Sequence, residues 1–276
     1  MTADTPLNEK NGKTQFGVQS VEIGLRVLAV IAKAYQPMML RDIARAMGMP
    51  SAKVHRYLVS LAREGMVEQE DTGARYSLGP LALTVGLAAL HQLDVVKICS
   101  NAAADLRDRT NLTVLLAIWG SAGPTIVRWE ESHRPIAINV RVGSVLTLLD
   151  SATGLVFAAF APRHITEDKI LEELHDHHDR DKIENTLAEI RARGVAIVRG
   201  NQLSSINAIS APIFDHTGTL VAALTILGPE RRFNVMWDSQ EATDLIEICD
   251  QLSERLGYSR KCGETSLQDS SKVPTK

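Results

Sequence analysis

The sequence predicts an α+β protein of two domains: a winged helix-turn-helix followed by an antiparallel sheet flanked by helices. Three observations support this. Two short amphipathic helices, a tight turn between them and a β-hairpin occupy residues 38–78. The second half alternates β-branched runs with turn residues and amphipathic helices. At 276 residues, the chain has the length of two ordinary domains.

The first predicted helix is Val18–Tyr35. Its apolar residues recur at helical spacing, so one face should point to the core. We expect that face to consist of Val21, Leu25, Leu28 and Ile31 with Ala32.

The next helix carries Leu40, Ile43, Ala44 and Met47 on one face. Gly48 should end this helix, because glycine adopts the left-handed cap conformation without a Cβ clash. Met49 precedes Pro50 and is therefore biased away from helix.

A second short helix should begin at Ser51, which we predict as its N-cap. Val54, Leu58 and Leu61 form its apolar stripe, with Tyr57 beside it. Its opposite face is small and basic, which suits insertion into the major groove of DNA. That face consists of Ala52, Lys53, His55, Arg56 and Arg63.

Gly65 should end the second helix. Met66–Glu70 and Ala74–Leu78 are predicted strands, and Asp71-Thr72-Gly73 between them is typical of a hairpin turn. This is the wing of a winged helix, although compact helical domains of other kinds also carry such apolar stripes.

The wing and the basic helix together predict a DNA interface. His55 has an alternative role in capping or packing. The predicted DNA-binding residues are Arg41, Ser51, Ala52, Lys53, His55, Arg56 and Arg75.

Charge supports a specific DNA module rather than a general polyanion binder. The net charge is −3, but residues 18–78 contain eight Lys and Arg against six acids. Cys99, Cys249 and Cys262 are far apart and lack zinc spacing, which fits a reducing cytoplasm. Cys99 and Cys249 lie on predicted helices and are expected to be buried thiols. No signal peptide or membrane span is expected.

The predicted organisation has five parts. Residues 1–16 and 259–276 are polar and are expected to be disordered tails. Residues 17–79 form the winged helix-turn-helix, 80–94 a linker helix and 95–258 the second domain. Because the linker helix is apolar all round, it should pack against something beyond its own chain.

The second domain should contain strands and helices in a mixed order. Its predicted helices are Asp94–Thr110 (with Val95, Ile98, Ala102 and Leu106 in register), Thr153–Phe160, Ile165–His175, Asp181–Arg193 and Asp238–Leu256. Its predicted strands are Thr113–Trp119, Thr125–Glu130, Pro135–Val142, Val195–Val198, Ala208–Phe214 and Leu220–Leu227.

Two sharper alternatives are considered. The tract from His175 to Asp181 is rich in His and Asp, and it is either a metal cluster or a solvated loop between helices. No P-loop, GxSxG, HExxH or GxGxxG motif occurs, so we expect no enzyme activity, no cofactor and no metal.

Several segments resemble the IclR family of bacterial transcriptional regulators, in the right order over residues 18–258. The opening helix (GVQSVEIGLRVLAVI), the recognition helix with its wing (SAKVHRYLVSLAREGMVEQEDTGARYSLGP), the segment RVGSVLTLLDSATGLVFAAF and the pair IRARGVAIVRG and NAISAPIFDHTGTLVAALTILGP carry the resemblance.

The resemblance implies a GAF-like effector-binding domain with a pocket for a small organic acid. The family's effector-facing positions match Leu146, Asp150, Ser151, Ala152, Thr153, Val198, Ala208, Thr225 and Leu227. The family often has an acid where Val198-Arg199 stand and a cysteine near Asn207-Ala208. Ser151, Thr153, Asn207 and Thr225 are candidate hydrogen-bonders to a carboxylate or hydroxyl, with satisfaction of backbone groups in a core as the alternative. Amides at the start of the Thr153 helix favour an anion.

The expected function is therefore transcriptional repression in the cytoplasm, with operator affinity controlled by a small organic acid, for which an aromatic acid is one candidate. The expected partners are double-stranded DNA with a near-palindromic operator and further copies of the chain, as a homodimer or homotetramer, and no membrane. An effector-dependent activator of a catabolic operon is the alternative within this class. A small-molecule-binding or metal-binding protein that does not bind DNA is the alternative outside it.

Overall fold

The structure, a computed structural model, describes residues 17–70, 74–91, 93–133, 140–174, 180–200, 206–233 and 235–259. The described residues form two compact units, one that ends at residue 91 and one that begins at residue 93. No helix among the described residues is long and apolar enough to cross a membrane. The predicted turn at 71–73, both predicted tails and the His-rich residues 175–179 lie outside the described residues, apart from the ends of the tracts.

The first unit is the winged helix-turn-helix that the sequence predicts. Its strand β3 (Arg75–Leu78) pairs antiparallel with β2 (Val67–Gln69) as the wing and with β1 (Met38–Met39) on its other side. The two-residue strand β1 is not anticipated, because only its partner defines it. The elements are α1 (Gln19–Ala34), β1 (Met38–Met39), α2 (Leu40–Met47), α3 (Ser51–Arg63), β2 (Val67–Gln69), β3 (Arg75–Leu78) and α4 (Pro80–His91).

The predicted inward face of α1 is largely wrong. Ile31 is buried as expected, but Val21 and Leu25 are each 56% exposed. The core instead takes Ile23 and Val27. Leu28 is half-buried and Ala32 is exposed. Since α1 is apolar on nearly every side, its periodicity does not single out one face, and packing against α2, α3 and β3 decides it.

The turn between α2 and α3 follows the prediction. Ile43 and Ala44 are buried on α2, and Gly48 has a φ of 60°. Its N–H donates to carbonyls of the last turn of α2, as expected of a left-handed cap. Val54 and Leu58 of α3 are fully buried, so the two helices share the core beneath the wing.

The second unit is built on an antiparallel sheet. Five of its described strands form one sheet in the order β5 (Gly123–Glu130), β4 (Thr113–Gly120), β8 (Leu220–Pro229), β7 (Ile206–Phe214) and β6 (Ala196–Arg199), so β8 is central. The elements are α5 (Val95–Thr110), β4 (Thr113–Gly120), β5 (Gly123–Glu130), α6 (Ala152–Phe160), α7 (Arg163–Glu173), α8 (Arg180–Arg193), β6 (Ala196–Arg199), β7 (Ile206–Phe214), β8 (Leu220–Pro229) and α9 (Gln240–Arg255). These bounds agree with the predicted elements to within a few residues.

The sheet has a core on each face. α5 and α9 pack on one face, where Leu106, Leu224 and Leu245 are buried. α6 packs on the other face, chiefly over β7 and β8, with Phe157 fully buried. On α5 the predicted face is right at Leu106, but Cys99 and Ala103 are buried more deeply than Val95, Ile98 and Ala102.

The predicted strand Pro135–Val142 is not found in its described part. Residues 134–139 lie outside the described residues, and residues 140–142 are not a strand. The chain meets the edge of β5 slightly later: the Ile126 N–H donates to the Ser144 carbonyl, and the Leu146 N–H donates to the Pro124 carbonyl. This pairing places residues 143–146 along the edge of β5, and Leu146 packs against the core on the α6 side.

Candidate DNA interface and effector site

Helix α3 presents an exposed basic face. Val54 and Leu58 are fully buried on its inner side, which fixes the rotation of the helix. His55 is exposed, which argues against its alternative role in packing. No acid lies in the first turn of α3. The exposed residues on the outer side include Ser51, Ala52, Lys53, His55, Arg56 and Arg63.

Ser51 is not the N-cap of α3, which corrects the prediction. Pro50 holds the N-cap position with an extended backbone, and its carbonyl accepts from the amides of Lys53 and Val54. Ser51 is the first helical residue and its side chain makes no cap hydrogen bond. Its exposed hydroxyl is therefore available to a partner outside the domain, in the first turn where unpaired amides favour an anion.

The other predicted DNA-binding side chains come from α2 and the wing. Arg41 and Arg45 flank Asp42, with guanidinium–carboxylate distances of 3.8 and 3.7 Å. All three side chains are exposed, so these ion pairs hold the arginines only weakly. Arg75 is exposed at the start of β3.

Six of the predicted effector residues lie at the α6 face of the sheet: Leu146, Thr153, Val198, Ala208, Thr225 and Leu227. Strand pairing defines two rows across this face, because directly paired residues point to the same side. One row runs through the apolar residues Val198, Ala208 and Leu227 and continues to Thr113 on β4. The adjacent row runs through Ala196, Ser210, Thr225, Leu115 and Trp129.

Three buried hydroxyls join α6 to the sheet. The Oγ1 atoms of Thr153 and Thr225 are 2.7 Å apart, and the Thr225 hydroxyl donates to Ser210 Oγ at 2.8 Å. Ser210 in turn donates to the Leu224 carbonyl at 3.3 Å. Because a hydroxyl has one proton, Thr153 must be the donor to Thr225. The chain is a polar centre in an otherwise apolar face.

Ser151 has the structural role that the alternative prediction gave it. Its Oγ accepts from the Gly154 N–H at 2.9 Å and donates to the Thr147 carbonyl at 2.7 Å, so it caps α6. A Cβ on Gly154 would lie 2.0 Å from that same Thr147 carbonyl, so only glycine allows this approach. Asp150, just before the cap, is exposed.

The entry to α6 is held from below by a carboxylate. Glu173 of α7 accepts hydrogen bonds from the amides of Leu148 and Leu149 at 2.7–2.9 Å. Leu148 is fully buried, whereas Leu146 is half-buried beside the edge of β5. These hydrogen bonds therefore fix the segment that leads into α6, where Ala152 and Thr153 lie.

Asn207 lies on the opposite face from the other predicted effector residues, which corrects its placement. Its neighbour Ala208 packs on the α6 side, and strand alternation turns Asn207 toward α5 and α9. Its Nδ2 donates to the Phe233 carbonyl at 2.6 Å. Arg199 of β6 faces the same way, and its Nε donates to the Val235 carbonyl at 3.1 Å. Neither side chain points at the hydroxyl chain.

Ser210 and Trp129 also lie on this face, although the sequence patterns did not predict either of them. Strand alternation in β7, counted from Ala208, would have found Ser210. Trp129 needs more than alternation, because the β4–β5 pairing shifts register between Leu116 and Ala117. This bulge lets both Ile126 and Trp129 face α6 although they are three residues apart.

The remaining candidate features lie elsewhere or carry no chemistry of their own. No group of three or more potential metal ligands occurs among the described residues, and the His-rich tract is outside them apart from its ends. Burial raises the pKa of the Cys99 thiol to about 11. Burial is also the main reason that the pKa of Cys249 lies well above its usual value, and the negative charges of Cys99 and Asp250 raise it further. A surface cleft of about 420 Å³ lies on α9, away from the α6 face.

Family models match both units. The model of the IclR helix-turn-helix domain matches residues 20–71, and the model of the bacterial transcriptional regulator IclR C-terminal domain matches residues 87–254.

Curated relatives match over most of the chain. The glycerol operon regulatory protein of Streptomyces coelicolor is 30% identical and covers 78% of this chain and 86% of its own. The regulator BhcR of Paracoccus denitrificans is 26% identical and covers 90% of this chain and 91% of its own. The transcriptional repressor AllR of Klebsiella pneumoniae is 24% identical over 81% of this chain and 85% of its own.

Solved structures share the fold. HmgR of Pseudomonas aeruginosa is 40% identical with a TM-score of 0.83, covering 88% of this chain and all of its own. An IclR homologue of Microbacterium hydrocarbonoxydans, solved in complex with 4-hydroxybenzoate, is 20% identical with a TM-score of 0.53, covering 87% of this chain and all of its own. The match thus extends through both units rather than one.

Proposed function

Because the chain belongs to the IclR family of bacterial transcriptional regulators, we propose that this DNA-binding regulator is a repressor whose operator affinity is set by a small organic acid. The exposed basic face of α3 above its buried Val54 and Leu58 is the observation that supports DNA reading most directly. The name of the AllR relative supports repression.

For DNA binding, α3 enters the major groove and the β2–β3 wing follows the backbone. Arg56 reaches base edges, and Lys53 neutralises a phosphate. Arg41 and Arg75 approach from α2 and the wing, both on exposed positions. Ser51, Ala52 and His55 complete the contact surface at the start of α3.

The protein binds DNA as a homodimer or a homotetramer. An exposed apolar face at the start of α1 supports this assembly, since Val18, Val21 and Leu25 are between 56% and 64% exposed. Helix α4 adds Leu83 and Val85, which are 65% and 52% exposed. Contiguous exposed apolar side chains mark protein interfaces. A twofold-symmetric pair of α3 helices then matches a near-palindromic operator.

The effector is a small organic acid bound on the α6 face. The wall is apolar, formed by Leu146, Val198, Ala208 and Leu227, and the hydroxyl chain of Thr153 and Thr225 is its polar centre. This is the composition of a small-molecule site. A polyhydroxylated ligand would leave hydroxyls unpaired against that wall at about 1–3 kcal/mol each.

The experiment on DNA uses the full chain and the upstream region of its own gene. Fluorescence anisotropy should show tight binding of one segment with two related half-sites about one helical turn apart, and much weaker binding of random DNA. Equal affinity for both DNAs would contradict the proposal of a specific operator.

The experiment on the effector measures that operator affinity with added acids. We expect an aromatic or short aliphatic acid to change the operator Kd by roughly 5- to 150-fold, and glucose and AMP to leave it unchanged. A reporter gene under the operator then distinguishes the functions: deletion of the regulator should raise transcription. A fall would favour an effector-dependent activator, and a sugar as the tightest ligand would contradict the effector class.

A further inference from the structure

Trp129 lies on the edge strand β5, at the end of the α6 face of the sheet. It packs against the α6-side core but remains partly exposed. It makes no ring contact with another aromatic among the described residues, whereas Trp119 packs on Phe157 with ring centroids 5.7 Å apart. Trp119 is partly exposed as well, but Phe157 covers part of its ring, whereas no aromatic ring of the described residues covers Trp129, which therefore has indole surface to offer a ligand.

Its position relative to the hydroxyl chain is set by strand pairing. Trp129 pairs with Leu115, and Leu115 pairs with Thr225. The three lie in one row, so their side chains share the α6 face. Two strand spacings separate the backbones of Trp129 and Thr225, which is about 10 Å. The space between the Trp129 and Thr225 side chains is therefore on the scale of one substituted ring.

The row changes from polar to apolar along its length. Thr225 of β8 and Thr153 of α6 supply hydroxyls at its polar end. Leu115, 3% exposed, is the floor between them and Trp129. An acid whose polar group meets the hydroxyls therefore extends its apolar part over Leu115 toward the indole.

We propose that Trp129 is a specificity-determining residue, which stacks on the ring of the effector and selects an aromatic acid over a saturated one. This inference rests on the proposed function, because it assumes that an organic acid binds on the α6 face. It narrows the class of that acid. Flat rings gain from offset or edge-to-face contact with an indole beyond the area they bury, and a saturated ring does not.

The test compares ligands of nearly equal size. Benzoate, 4-hydroxybenzoate and phenylacetate are titrated by calorimetry against the full-length protein, with cyclohexanecarboxylate as the saturated control. We expect the best aromatic acid to bind two- to tenfold more tightly than cyclohexanecarboxylate, the equivalent of an aromatic pair worth about 0.5–1.5 kcal/mol. Trp129→Leu should abolish this preference, Trp129→Phe should keep part of it, and Trp119→Phe should keep all of it.

A second measurement does not depend on Trp129→Leu folding well. The chain has three tryptophans, so Trp119→Phe/Trp237→Phe leaves Trp129 as the sole indole. We expect the aromatic acid that binds to change its fluorescence. Binding seen by calorimetry with no change in that fluorescence, or an unchanged aromatic preference in folded Trp129→Leu, overturns the inference and leaves the proposed function standing. If no acid of the set binds the wild type, neither an aromatic effector nor this role of Trp129 survives.

Discussion

The hydroxyl oxygens of Thr153 and Thr225 lie 2.7 Å apart and link the first turn of α6 to the central strand of the sheet. Both residues are 2% exposed. Thr225 therefore has a structural role as well as a proposed role in effector binding, and its substitution should affect the stability of the domain.

Thr225→Val should lower the stability of the second domain. It keeps the side-chain shape but leaves Thr153 without an acceptor and Ser210 without a donor, at a cost of about 1–3 kcal/mol. Thr153→Val alone removes only the donor and should cost less. The double variant should cost less than the sum of the two, because both partners are then apolar. Urea unfolding followed by circular dichroism measures all three, and strict additivity would show that the hydroxyls do not interact.

Arg56→Ala should weaken operator binding by about 1–3 kcal/mol and leave random DNA nearly unaffected, if its guanidinium reads a base. Lys53→Ala should weaken both DNAs alike and reduce the salt dependence by about one unit in the logarithmic slope. Arg26→Ala, an exposed cation on α1, is the control for loss of charge. Anisotropy at several salt concentrations tests these expectations. Wild-type affinity in both α3 variants would remove α3 from the interface.

Asn207→Ala and Ala208→Leu should have opposite consequences, because adjacent strand residues face opposite sides of the sheet. Asn207→Ala loses the hydrogen bond to the Phe233 carbonyl and should destabilise the domain by about 1–2 kcal/mol without changing effector affinity. Ala208→Leu should weaken effector binding by filling the α6 face. Thermal unfolding and ligand titration are compared for the pair. A loss of effector affinity in Asn207→Ala alone would return Asn207 to the site.

Leu25→Glu and Leu83→Glu should dissociate the dimer. Both leucines are more than half exposed, so each substitution should cost little within the domain but place a charge in the apolar interface. Ala46→Glu adds the same charge at an exposed position of α2 and should leave the assembly intact. Sedimentation at micromolar concentration separates the cases. A monomeric wild type would contradict the predicted assembly directly.

Cys99 and Cys249 should resist thiol reagents while the protein is folded. With a pKa of about 11, the Cys99 thiol is ionised in only about one molecule in a thousand at pH 8, and the thiolate is the reactive form. In Cys262→Ser, Ellman's reagent at pH 8 should therefore give no rapid phase until denaturant is added. Reactivity should rise as the pH approaches 11. A fast thiol in this variant at pH 8 would mean that the core opens readily.

Local patterns in the sequence were sufficient for the order of the elements and for several of their ends. Gly48 ends α2 because its backbone conformation is costly for other residues, and that requirement is local. Val54 and Leu58 identify the inner face of α3 because the residues between them are polar. The exposed side of α3 could be predicted for the same reason.

Tertiary structure decided the features for which local patterns allow more than one solution. The apolar stripes of α1 compete, and only packing against α2 and α3 buries Ile23 rather than Leu25. Asn207 and Ala208 are neighbours, so a one-residue choice of register moves either to the α6 face, and pairing with β6 and β8 makes that choice. Trp129 lies in the same row as Leu115 and Thr225 because of a bulge that depends on how β4 and β5 pair. Side-chain direction in a strand is a property of its partners, which a single segment does not contain.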